Sequence, residues 1–113
     1  MKTRQIPRNE WSKFFDNMSR PQEGWEVGLE VLSPAIGVQI EGNHMFLAGM
    51  AAEVSERGDK IEIMMAGKLN DHVTHTISTP ILVQLQQTEI GIDSAVGITS
   101  ADGTTSLLHL RSL

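Results

Sequence analysis

Two histidines and a carboxylate lie close together in Asp71-His72-Val73-Thr74-His75-Thr76, the densest grouping of metal-ligating and proton-transferring side chains in the sequence. On a helix His72 and His75 would share a face and could chelate a metal ion. The β-branched composition of the segment argues for a strand instead, and there an odd separation sends the two imidazoles to opposite faces. Asp71 and His75 would share a face, but at strand rise they stand about 13 Å apart, too far to grip one ion. No metal is therefore expected. His75 should pack beside Val73 and Ile77, with His72 and the threonines on a polar face. If the chain binds a small molecule, the place for it is a pocket near His75, between an aromatic helix and the sheet, with His72, Thr74, His75 and Trp25 as its candidate ligand-binding residues.

Other catalytic patterns fail on inspection. There is no cysteine, no G-x-S-x-G nucleophile turn, and no Walker or dinucleotide glycine pattern. Ser100-Ala101-Asp102-Gly103 sets a hydroxyl near an acid, yet Asp-Gly is first of all turn chemistry. Glu26 and Glu30 fall on one strand face, and Glu53 can approach Glu62 across a hairpin. Carboxylates on the outer face of a half-exposed strand ordinarily solubilise it. No catalytic residue is assigned and no cofactor is expected.

The elements that would position these groups are one helix and a series of strands. Trp11, Phe14, Phe15 and Met18 sit at offsets 0, 3, 4 and 7, one stripe of an α-helix, with Glu10, Ser12, Lys13, Asp16 and Asn17 on the water side. Asn9 is an N-cap candidate, and Pro21 stops the helix near Ser19. After Gly24 the period changes to two. Trp25, Val27, Leu29 and Val31 alternate with Glu26, Gly28 and Glu30. Val38 to Glu41 makes a second short strand before the turn residues Gly42-Asn43, and Phe46 to Ser55 a third. An even-numbered loop then places Val54 opposite Ile61 or Ile63 and keeps the apolar face of Ile61, Ile63 and Met65 in register. Pro80 makes the preceding β-branched strand short or an edge. A three-residue loop Ala101-Asp102-Gly103 puts Val96 and Ile98 on one face with Leu108 and Leu110. Met45, Met50, Met64 and Met65 read as core filling in a chain with 2 Trp, 3 Phe and no Tyr. The expectation is an α+β fold in one domain, 1-113. An N-terminal amphipathic helix, about 8-19, packs on a mainly antiparallel meander of seven or eight short strands, from about 25 to 111, which can curl into a small barrel.

Charge and composition narrow the function classes. Nine Lys+Arg against 14 Asp+Glu give a formal net charge of -5, with no basic stripe, so nucleic acid is not an expected partner. No apolar run approaches the roughly 20 residues of a spanning helix, and the opening carries no signal-peptide core; no membrane partner is expected and the location expected is cytoplasmic. Strand edges invite pairing, so a protein partner or self-association is expected.

The opening Thr3-Arg4-Gln5-Ile6-Pro7-Arg8-Asn9-Glu10-Trp11, Gly24-Trp25 and Asp71-His72-Val73-Thr74-His75-Thr76-Ile77 together resemble a family of short, single-domain bacterial proteins of unknown function. The resemblance runs nearly end to end and implies a bacterial, stand-alone domain; it assigns no site residue. The functional expectation is a non-catalytic interaction or accessory protein acting through a surface or as a homo-oligomer. The alternative is a small-molecule-binding barrel or an enzyme with its pocket near His75.

Overall fold

Period-two alternation governs most of the chain, and in the computed structural model it becomes one antiparallel sheet of eight strands. The structure describes residues 2–69 and 71–111. The strands are β1 (Lys2–Ile6), β2 (Glu26–Ser33), β3 (Gly37–Glu53), β4 (Lys60–Ala66), β5 (His72–Ser78), β6 (Pro80–Gln87), β7 (Asp93–Ser100) and β8 (Thr105–Arg111). A 3-10 turn, Arg8–Glu10, leads into the one α-helix among the described residues, α1 (Trp11–Ser19).

The α+β expectation is overturned. Strands hold 61% of the described residues and helical turns 11%, so this is a sheet protein on which one short helix packs. Nor are all the strands short or arranged as one meander. The order is β1-β6-β7-β8-β2-β3-β4-β5: two meanders, β2 to β5 and β6 to β8, joined where β8 pairs with β2. Val38–Glu41 and Phe46 onward, read separately in the sequence, form one strand of 17 residues. Gly42-Asn43 makes not a turn but an irregularity in pairing, where the register against β2 shifts around Leu29 and His44 takes φ 54. A Cβ added at Gly42 would lie 3.1 Å from Met45 Sδ and 3.4 Å from Met65 Sδ, so only glycine lets the chain cross that spot without displacing them.

The sheet rolls because β5 and β6, far apart in its order, are separated by Thr79 alone. Thr79 stands at φ 51, held by its N–H to Asp59 O at 3.1 Å and by Ala101 N–H to its own carbonyl at 2.9 Å. The inner face of the roll carries the core: Val27, Leu29, Ile61, Ile63, Met65, Val83, Val96, Ile98 and Leu108, with Trp11, Phe15 and Met18 of α1 laid on it. Burial of those helix residues orders the helix despite its nine residues, too few to be stable alone. Asn9 does not cap it. The N-cap is Glu10, with no side-chain cap bond, and the start is instead fastened by Arg8, whose Nε and Nη2 reach Asp59 Oδ2 and Oδ1 at 2.6 and 2.9 Å. That guanidinium holds the Asp59 carboxyl below its usual range.

Other local expectations hold. The loop between β3 and β4, 54–59, is even, although Ala52 rather than Val54 stands opposite Ile61, and Met50 stands opposite Ile63. Val96 stands opposite Leu108 and Thr99 opposite Thr105, with Gly103 at φ 89 in the three-residue loop. β5 lies at one end of the sheet. At the other end lies β1, a strand the sequence reading missed; four of its five residues are exposed.

Candidate functional site

Alternation along β2 sends Glu26, Gly28 and Glu30 to the outer face, and the antiparallel register sets other polar residues beside them. Glu26 is opposite Arg111 and Gly28 opposite His109 on β8, while the irregularity in β3 brings in His44. Because Gly28 has no side chain, a gap opens between the two glutamates. The result is a hollow of about 360 Å³ bordered by Glu26, Glu30, His44, His109, Arg111 and Ile40.

The charged groups there are paired with one another. His44 Nδ1 lies 3.0 Å from Glu26 Oε1, His109 Nε2 lies 3.3 Å from Glu30 Oε1, and Arg111 Nη1 lies 3.6 Å from Glu26 Oε2. The His44 hydrogen bond is the main cause that lowers the Glu26 pKa, so this carboxylate stays ionised. Ser94, the one hydroxyl among the described residues lining the hollow, is turned to Gln86 O at 3.1 Å. Among the described residues no set of three or more His, Asp and Glu is arranged to hold a metal ion. What the hollow offers is a rim of acceptors and imidazole edges.

The four candidate residues of the sequence reading do not meet there. His75 and Val73 face the inside of the roll, opposite Ile63 and Met65, and His72 and Thr74 project from the other face, exposed. Trp25 is half-buried against the core, its carbonyl accepting from Leu47 N–H at 2.8 Å. His75 instead reaches across the roll, with Nε2 3.2 Å from Ser106 Oγ on β8. Ser106 is buried, at 2% exposure, and desolvation lowers the His75 pKa, so this is a neutral imidazole and a hydroxyl closing the roll. The residues missed were His44, His109 and Ser106. The Glu26–Glu30 spacing was a visible signal, but the histidines that answer it arrive from neighbouring strands.

A second concavity, about 520 Å³, lies between α1 and the β1–β6 end of the sheet, with Phe14 and Leu85 in its walls. Room therefore exists between the aromatic helix and the sheet, although other residues line it. Among the described residues no helix is long and apolar enough to cross a membrane.

A rolled antiparallel sheet with one packed helix and a hollow of paired histidines and glutamates thus defines the class of protein. The chain belongs to the family of unknown function DUF5335, whose model matches residues 2–113. It is 30% identical over 111 residues to an uncharacterised protein of Aquifex aeolicus (strain VF5), covering 98% of this chain and 94% of that protein. This supports the resemblance to a bacterial family of unknown function. No solved structure matches the chain.

Proposed function

We propose that this protein is a non-catalytic interaction module that pairs with a second copy of itself through the first half of β3. One observation carries the reading. From Gly37 to Met45, β3 is paired with β2 on one side only; among the described residues no strand pairs with its other side. Such an edge has backbone donors and acceptors turned outward, a template for a further strand. Val38 and Ile40 are 62% and 67% exposed and, two apart, share one face.

Charge favours a second copy as the occupant. Gly37-Val38-Gln39-Ile40 carries no charge, so two chains of net charge -5 meet there without facing like charges, and Glu41 is the first acid reached. A two-fold axis at Gln39 makes an antiparallel pair in which Val38 of one copy stands opposite Ile40 of the other, a cross-strand apolar pair. The other sheet edge, β1, bears Lys2 and Arg4, the charged protection natural edges use.

The test is native mass spectrometry with light scattering on wild type, Val38→Lys and Ile40→Lys. Wild type should run at twice the 12.4 kDa chain mass and both variants at the single mass with unchanged circular dichroism. A monomeric wild type at high micromolar concentration, or variants that stay dimeric, would overturn the proposal.

A further inference from the structure

β5 closes the roll with little to hold it there. It stands at one end of the sheet and pairs with β4 alone, and of its seven residues only Ile77 is buried. Among the described residues its side chains make one hydrogen bond, His75 Nε2 with Ser106 Oγ across the roll at 3.2 Å. Ser106 is 2% exposed, a hydroxyl shut away from water with that imidazole as its partner. At its far end β5 turns on Thr79, a β-branched residue at φ 51. Such side chains rarely adopt that backbone conformation, and it persists only while its neighbours hold it. Here they are Asp59 O, which accepts from Thr79 N–H, and Ala101 N–H, which donates to Thr79 O.

We infer that β5 is a flap that closes the roll at neutral pH and swings away from β8 in acid, with His75 as its latch. The surroundings of the imidazole decide the direction. On β4 it meets Ile63, on β8 the uncharged Ser106, and on its own face of β5 it is flanked by Val73 and Ile77. Glu41 of β3 is the one charged group among the described residues that acts on it, and desolvation outweighs that attraction. A protonated imidazole can still donate to Ser106 Oγ, so the hydrogen bond survives the proton; the lost hydration is what the closed flap does not return. Released into water, His75 takes its proton at the ordinary value. The open form therefore binds the proton more readily than the closed one, and as pH falls below 6.5 the equilibrium moves toward opening. Opening uncovers Ser106 and the flanks of Ile61, Ile63 and Met65, and it bares the backbone edge of β4. The flap needs no second copy of the chain, so it stands apart from pairing through β3.

The experiment is native-state hydrogen exchange of the full chain at pH 7.5 and pH 5, each in a series of low urea concentrations, with rates converted to opening constants by the intrinsic exchange rate at that pH. The β5 amides bonded to β4 should open with a shallow urea dependence, well ahead of the β7 and β8 amides, which wait for global unfolding. Their opening constant should rise about threefold or more from pH 7.5 to pH 5. His75→Gln should abolish that rise. Glu41→Gln, at an exposed position where the fold is not at risk, removes the attraction that favours the charged latch and should enlarge it. The inference is overturned if the β5 amides exchange only with those of β7 and β8 through global unfolding, or if their opening constant is the same at both pH values. A rise that persists in His75→Gln, or one that shrinks in Glu41→Gln, overturns it equally.

Discussion

The two halves of β3 have opposite fates on the side where they lack a strand. Beyond Phe46 the strand pairs with β4, and its other edge is covered by the chain itself. Gly24 N–H donates to Leu47 O and Leu47 N–H to Trp25 O, both at 2.8 Å. Met50 N–H donates to Ser19 Oγ at 2.9 Å, and Ser12 Oγ donates to Ala52 O at 3.1 Å. Ser12 and Ser19, seven apart, lie on one stripe of α1, so the helix that buries Trp11 and Phe15 also supplies hydroxyls to a strand edge. Before the irregularity at Gly42, no such cover exists among the described residues, and Val38 and Ile40 face outward. A buried edge needs partners for every backbone group. An exposed one needs them only from water or from another molecule, which is why the first half is the place to look for an interaction.

Removing the cover is the most damaging way to erase this contrast. Phe15 is fully buried, and Phe15→Ala should cost about 3–5 kcal/mol in urea unfolding, freeing the helix and leaving the edge from Leu47 to Glu53 as open as the first half. A loss under 1 kcal/mol would mean that the helix contributes little to holding the sheet. Ser19→Ala is a finer cut. It leaves the Met50 N–H without its acceptor and should cost about 1–3 kcal/mol, whereas Ser12→Ala, at an exposed position, should stay within about 0.5 kcal/mol. On the uncovered half, Val38→Lys and Ile40→Lys should likewise alter monomer stability by no more than about 0.5 kcal/mol, while abolishing the association proposed above. Equal costs on both halves would dissolve the distinction.

Much of this was legible in the sequence, for local reasons. The helix, the even loop after β3 and the three-residue turn closed by Gly103 follow from periodicity and from residues with special backbone freedom. The illegible parts depend on distant partners. Thr3-Arg4-Gln5 has neither apolar alternation nor strong strand propensity; it is a strand because β6 offers an edge, with Arg4 opposite Leu85. Gly42-Asn43 has the same local chemistry in a turn as in an irregular ladder, and the long-range pairing with β2 decides for the latter. The weight given to four helical apolar residues made the fold look α+β, although nine helical residues serve a sheet of eight strands. The outer hollow was half visible as Glu26 and Glu30. His44 and His109 reach those carboxylates only through the registers of β3 and β8.

The smallest expected effect links the uncovered half to the inside of the roll. Burial lowers the His75 pKa below its ordinary 6.5, and Glu41, on the uncovered half of β3, opposes that by favouring the charged form. A lowered folded value means that the unfolded chain binds the proton more readily. The stability His75 contributes is therefore complete above pH 6.5 and is lost as pH falls from there through the lower folded value, after which the loss levels off. Glu41→Gln removes the opposing charge, pushes the folded value lower still and should extend the loss to lower pH. His75→Gln, which keeps a polar group opposite Ser106, should flatten the curve across the same window. Chemical denaturation at intervals between pH 7.5 and 5 reads all three chains. If Glu41→Gln tracks wild type throughout, the two halves of β3 differ in cover alone, and the uncovered half exerts no electrostatic influence on the core side of the sheet.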